Sequence, residues 1–187
     1  NRCMNCHAFG NQDPNLSMVY IRGEGGGAIL NRNGKLRKLN LKNANMISSS
    51  VYYGFSPSGK YVTFSTNIII SAFHANADKR LEVYDSKSDV YVADLDNNRI
   101  ISSPLTSDST RLETFPTFSP DGKYVYYCAA DRKGLGSTNL KGLKYSLVRI
   151  PFDEKTGSFG TNIDTLYKER SVCHPKISPD GRYCLFT

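Results

Sequence analysis

A short pattern occurs three times in this chain, and it restricts the fold more than any other feature. Phe55-Ser56-Pro57-Ser58-Gly59-Lys60-Tyr61-Val62 returns as Phe118-Ser119-Pro120-Asp121-Gly122-Lys123-Tyr124-Val125 and again as Ile177-Ser178-Pro179-Asp180-Gly181-Arg182-Tyr183-Cys184. The three serines are 63 and 59 residues apart, so the copies mark a repeating unit. Each residue of the pattern has a conformational reason. Proline arrives with its φ preset, Ser or Asp closes the turn through its side chain, and Gly accepts the positive φ at its end. A β-favouring run follows (Tyr61-Val62-Thr63-Phe64, Tyr124-Val125-Tyr126-Tyr127), and an extended segment precedes, as in Thr114–Phe118. Each copy therefore reads as strand, tight turn, strand.

A second hairpin lies between copies. Asp89–Leu95 leads through Asp96-Asn97-Asn98 to Arg99–Ile101, and Tyr145–Ile150 leads through a turn from Asp153 to Gly160 and on to Ile163–Tyr167. Two hairpins per unit make a four-stranded antiparallel meander, and such units in series are propeller blades. The composition agrees: 12 Tyr, 9 Phe and 15 Gly, with no Trp, suit β structure. The expected fold is all-β, an incomplete propeller of about three blades with repeats around 48–107, 112–168 and 172–187. A short segment, 1–16, precedes the partial propeller of 17–187, whose first strand is expected at Ser17–Arg22. The third copy stops at Thr187, and the chain opens on Asn1 without Met or a signal sequence, so a trimmed piece of a longer protein is expected.

The Ser-Pro-Asp-Gly-(Lys/Arg)-Tyr signature, over roughly Ser48 to Thr187, resembles the TolB-like, WD-type β-propeller repeats of bacterial envelope proteins. Cys-x-Asn-Cys-His-x-Phe at the N-terminus, Arg22-Gly23 through Gly26-Gly27, and an insert near Phe73-His74 resemble exported Bacteroidetes propeller proteins loosely labelled as cytochrome c biogenesis or TolB-like. That resemblance implies a binding platform in the cell envelope, either periplasmic or exported, or else lipid-anchored through a segment not present here.

Charge narrows the partners. The net charge is +7, but Lys and Arg are scattered, the densest group being Lys35, Arg37, Lys38 and Lys42. A solvated basic surface is expected in preference to a nucleic-acid site. No apolar run approaches the length of a membrane-crossing helix, the longest in its region being Ile68-Ile69-Ile70.

Cys3-Met4-Asn5-Cys6-His7 matches C-x-x-C-H, the attachment pattern of c-type haem: two thioether-forming thiols with an axial histidine beside them. A local Cys3–Cys6 disulfide, two free thiols and half of a zinc site are the other readings. Five cysteines, an odd number, exclude a complete disulfide framework.

The insert Asn67–Asp89 interrupts the first unit between its second and third strands. It carries His74, Asp78 and Arg80 as candidate ligand- or partner-binding residues and is expected to form a charged rim loop against a neighbouring blade; a metal site is the lesser reading. His174 aligns with Phe115 and Tyr52 on the strand nearest the axis; packing like that of its aromatic counterparts is the favoured reading, and ligand binding in a central channel, which makes it a candidate, is the lesser one. The glycine-rich run Arg22–Gly27 lacks the Gly-Lys-Ser/Thr ending of a phosphate-binding loop and reads as a hairpin turn. Asn33-Gly34 reads as another, between Ala28–Leu30 and Leu36–Leu41.

No Gly-x-Ser-x-Gly elbow or His-Glu-x-x-His is present, so no catalytic residue is assigned. The expected function is a non-enzymatic binding or scaffold module, meeting protein or cell-wall partners through rim loops 67–89 and 131–144. Electron transfer through haem at Cys3, Cys6 and His7, and the propeller part of a peptidase, are the alternatives.

Overall fold

A computed structural model describes residues 3–73, 81–132 and 143–187. The described residues form antiparallel strands joined by turns, with no helix among them. The first sheet orders β1 (Cys3–Gly10), β2 (Asp13–Arg22), β3 (Gly27–Arg32) and β4 (Lys35–Leu39) consecutively. The second does the same with β5 (Ser50–Phe55), β6 (Tyr61–Phe73), β7 (Leu81–Asp94) and β8 (Arg99–Ile101). The third comprises β9 (Arg111–Phe118), β10 (Tyr124–Asp131) and β11 (Ser146–Asp153), and the outer edge of β11 is shared by β12 (Ser158–Phe159) and β13 (Asp164–Tyr167). A fourth unit begins with β14 (Lys176–Ile177) and β15 (Cys184–Leu185). These are propeller blades, three with four or five strands and one with two.

The repeated pattern closes each inner hairpin through the same bonds. The Tyr124 backbone N–H donates to Ser119 Oγ at 2.9 Å, and the Ser119 hydroxyl donates to Asp121 Oδ1 at 2.6 Å. Asp121 in turn accepts the Lys123 backbone N–H at 3.1 Å. Ser178, Asp180, Arg182 and Tyr183 repeat this set at 2.6–3.1 Å. Ser58 replaces the aspartate in the first copy and meets Ser56 Oγ at 3.0 Å. Gly59, Gly122 and Gly181 take φ of 69°, 72° and 72°, which a side chain would strain.

Two expectations are corrected. The boundary between 16 and 17 falls inside β2, and the first strand is β1, which carries the cysteines. β1 therefore adds an innermost strand to a sheet whose other strands were expected near 17–22, 28–30 and 36–41. Its inner turn uses Asn11 and Gln12, at φ 52° and 59°, in place of Pro and Gly, which hid it from the repeat. The insert 67–89, expected as a loop, is a two-stranded ribbon: β6 and β7 stay paired from Tyr61↔Asp94 to Phe73↔Leu81, with one bulge at Ile68/Ile69. The β-branched run Ile68–Ile70 simply continues the strand. His74, Asp78 and Arg80 lie outside the described residues, as does most of 131–144.

Blades pack face to face through three cores. Met18, Leu30, Leu39, Phe64 and Tyr91 fill the first. Tyr61, Val92, Phe118, Tyr127 and Ile150 fill the second. Cys128, Leu147 and Val172 form the third. Large side chains buried this fully contribute about 1.5–3 kcal/mol each. Polar clasps fix the blade order: Tyr61 donates to the Glu154 carbonyl at 3.0 Å, and Arg32 pairs with Asp96 at 2.7 Å.

Glu113, on β9, breaks the apolar rule. Its side chain is fully buried and neither carboxylate oxygen closes a hydrogen bond. The nearest cation is Arg111 Nε at 3.7 Å, and the Asp108 backbone N–H stands beside the group without a normal bond. Burial, with Asp89 and Asp108 nearby, pushes its pKa up to about 8 despite Arg111.

Candidate functional site at the propeller axis

Each blade holds one residue in the left-handed region on or just before its innermost strand. These are Cys6 (φ 48°), Tyr52 (φ 56°), Phe115 (φ 53°) and His174 (φ 50°). The strand register slips at the first three, between Asn5 and His7, Val51 and Gly54, and in the pairing of β10 with β9 at Tyr126/Cys128. None is glycine, so each stores strain on the order of 1–3 kcal/mol. Four repeats of the same costly conformation point to one shared geometric purpose at the axis.

These positions bring three rings together. Phe115 and His174 lie 4.0 Å apart between centroids, Tyr52 and Phe115 4.6 Å, and Tyr52 and His174 5.8 Å in an edge-on contact. The alignment of Tyr52, Phe115 and His174 thus becomes a mutual cluster, and the rings pack on one another instead of lining an open bore. Burial and the Lys176 ammonium hold the His174 imidazole below its ordinary value. On the side from which the ribbon projects, Asp85 accepts a hydrogen bond from the Tyr145 hydroxyl at 3.3 Å. Burial raises the Asp85 pKa, and burial and Asp85 together raise that of Tyr52. Asn67 Nδ2 donates to Thr114 Oγ1 at 3.0 Å, tying the ribbon's root to β9.

Toward the hairpin turns the four inner strands border an open cavity of about 550 Å³, lined by His7, Phe9, Tyr53, Phe55, Thr117 and Lys176, with Gly54 in its wall. Gly54 keeps this wall close-packed: a Cβ would sit 3.2 Å from Thr63 Cγ2 and 3.3 Å from the Pro116 carbonyl oxygen. The cavity combines exposed aromatic surface with Lys176 as its permanent cation, a lining suited to an apolar side chain next to an acidic or carbonyl group.

The C-x-x-C-H residues occupy this frame in an unforeseen way. Cys6 is the first blade's counterpart of Tyr52, Phe115 and His174, and His7 lines the cavity. The cue was present in the sequence, because Phe9-Gly10 aligns with Phe55-Ser56 and Phe118-Ser119. Covalent haem needs both thiols on adjacent vinyl groups with the histidine turned to the iron between them. Cys3 pairs with Arg22 at an exposed position, and Cys6, in the left-handed region where the register slips, packs against the first core. All five cysteines are free. Among the described residues no group of three His, Cys, Asp or Glu could share a metal ion, and no helix is long and apolar enough to cross a membrane.

The chain matches no family model and no curated protein sequence. Solved structures do match in fold. A TolB structure from Agrobacterium tumefaciens aligns with a TM-score of 0.60 at 18% identity, covering 97% of this chain and 52% of that one. TolB from Acinetobacter baumannii aligns at 0.59 and 15% identity, covering 98% and 37%. Dipeptidyl peptidase 4 from Porphyromonas gingivalis aligns at 0.52 and 10%, covering 94% and 28%. At these identities the likeness shows a TolB-like propeller fold. The chain spans about half the length of the first of these structures.

Proposed function

We propose that this chain is a non-enzymatic binding module of an exported cell-envelope protein, and that it receives a segment of a partner protein at the axial end of its blades. The observation that carries the reading is the strained ring of Cys6, Tyr52, Phe115 and His174 above the cavity of His7, Phe55 and Lys176. Strain held at equivalent points of every blade positions side chains that the fold itself does not need there. The ribbon supplies a second surface for the same partner: Ile69 is 55% exposed and Val83 51%, flanked by Ile68 and Ile70. This ribbon takes the place of the rim loop as the outlying contact.

Peptides selected from a displayed random library on the immobilised chain test the reading. Bound sequences combining an aromatic with an acidic residue are expected, with binding lost in Phe115→Ala and Lys176→Ala. Binding that survives both changes and fails only in Ile69→Ser would move the site to the ribbon and refute the axial reading. The envelope location rests on the resemblance of the repeats, and fractionation of cells expressing the full-length protein checks it. The peptidase alternative shares only the propeller fold with this chain.

A further inference from the structure

We infer that the glycine-rich turn between β2 and β3 forms one wall of an oxyanion site specific for a phosphoryl group. The sequence lacks a phosphate-loop ending, but the structure brings cations to the turn from elsewhere. A cavity of about 410 Å³ lies on the first blade, between this turn and the segment 40–50 that leads to β5. Gly26, Gly27, Lys38, Asn40, Lys42 and Ser49 supply its polar lining. Every charged side chain in the lining is cationic; Glu24, the acid of the turn, is not part of it.

The geometry is built rather than incidental. Gly26 closes the turn by donating its N–H to the Gly23 carbonyl at 3.0 Å, and a Cβ there would collide with the Ile21 carbonyl oxygen. Gly27 has φ of 143°, and a Cβ on it would meet Lys38 Cε at 2.9 Å. The missing side chain is what lets the Lys38 stem lie across the turn. Its ammonium then donates to the Gly25 carbonyl at 2.9 Å, leaving two of its three N–H groups for a ligand. Lys42, the Asn40 amide and the Ser49 hydroxyl have no side-chain hydrogen-bond or ion-pair partner among the described residues. The floor is apolar and firm, because Leu39 and Leu41 belong to the core between the first two blades. Two ammonium groups, an amide and a hydroxyl, with no acid to compete, match the several acceptor oxygens and negative charge of a phosphoryl group.

The test is a titration of the ¹⁵N-labelled chain with sodium phosphate at fixed ionic strength, against sodium chloride as the control. Saturable shifts confined to the amides around Gly26, Gly27, Lys42 and Ser49 are expected. Lys42→Ala should weaken the apparent affinity about tenfold, Lys42→Arg should retain it, and Lys123→Ala, at a distant turn, should change nothing. Lys38→Ala with Lys42→Ala should abolish saturation. A hexose phosphate binding more tightly than inorganic phosphate would identify a soluble ligand. Lys42-dependent flotation with phosphatidic acid vesicles would identify a lipid headgroup. Shifts that chloride reproduces, or that persist unchanged in the double variant, overturn the inference.

Discussion

Replacing Glu113 by Gln should make the protein more stable, by an amount that depends on pH. The native carboxyl is fully buried, its oxygens close no hydrogen bond, and its pKa stands at about 8 against an ordinary 4.5. The folded state therefore keeps a proton that the unfolded chain has already released above pH 4.5. Between those two values folding takes up that proton, so stability falls as pH rises, by up to about 1.4 kcal/mol per unit. From pH 5 to pH 8 the loss attributable to this one group sums to about 3 kcal/mol. Glutamine has nearly the same shape and never ionises. Glu113→Gln should be close to wild type at pH 5 and about 3 kcal/mol more stable at pH 8, a rise of about 6–12 °C in Tm for a chain of this size. Urea unfolding followed by tyrosine fluorescence, at pH 5, 6, 7 and 8, measures this; the chain has 12 Tyr and no Trp to obscure them. The difference between variant and wild type removes the contributions of Asp85 and Asp89, whose pKa values burial also raises. Parallel pH curves for the two proteins would refute the argument, as would a variant weaker at every pH.

Other consequences are smaller or more local. Tyr61→Phe removes the hydroxyl that donates to the Glu154 carbonyl across the second and third blades, and should cost about 1 kcal/mol in chemical denaturation. Gly26→Ala places a methyl group against the Ile21 carbonyl oxygen and should cost at least about 2 kcal/mol, seen as a lowered Tm and displaced amide signals in β2 and β3. Asp121 is held below its ordinary value, first by the Ser119 hydroxyl and then by the Lys123 N–H, so its contribution is present above pH 3.8 and is lost as pH falls further. Acid unfolding of Asp121→Asn below pH 4 should consequently be shallower than that of wild type, by circular dichroism.

The parts of the fold that could be read from the sequence are those whose causes lie within a few residues. Ser119, Asp121, Gly122 and Tyr124 bond to one another, so their order alone announces a hairpin, and the turns at Asn33-Gly34 and Asn97-Asn98 were legible for the same reason. The inner hairpin of the first blade was hidden because Asn11 and Gln12 make its turn with different residues, while the C-x-x-C-H pattern suggested chemistry instead of a strand. The ribbon was missed because a charged insert between strands looks like a loop until Ile69 is seen to pair opposite Asp85. At the axis, alignment placed His174 with Phe115 and Tyr52, since the repeat carries position along each unit. It could not carry the burial of Glu113, the approach of Tyr145 to Asp85, or the meeting of Lys38 and Lys42 beside Gly26, which depend on residues many positions apart in the chain.

Every strand in the four sheets pairs with partners close to it in sequence, and each core joins only adjacent blades. Energetically such a molecule behaves as a line of coupled units rather than as a single block. A lesion in one blade loosens that blade and its two contacts, and its effect decays along the line. Hydrogen exchange should then be graded, slowest where a blade is held on both faces, as the strands around Val92 and Val125 are. Among the described residues each strand of the first three sheets finds its partners close by in sequence, an arrangement that lets blades acquire structure in the order of their synthesis.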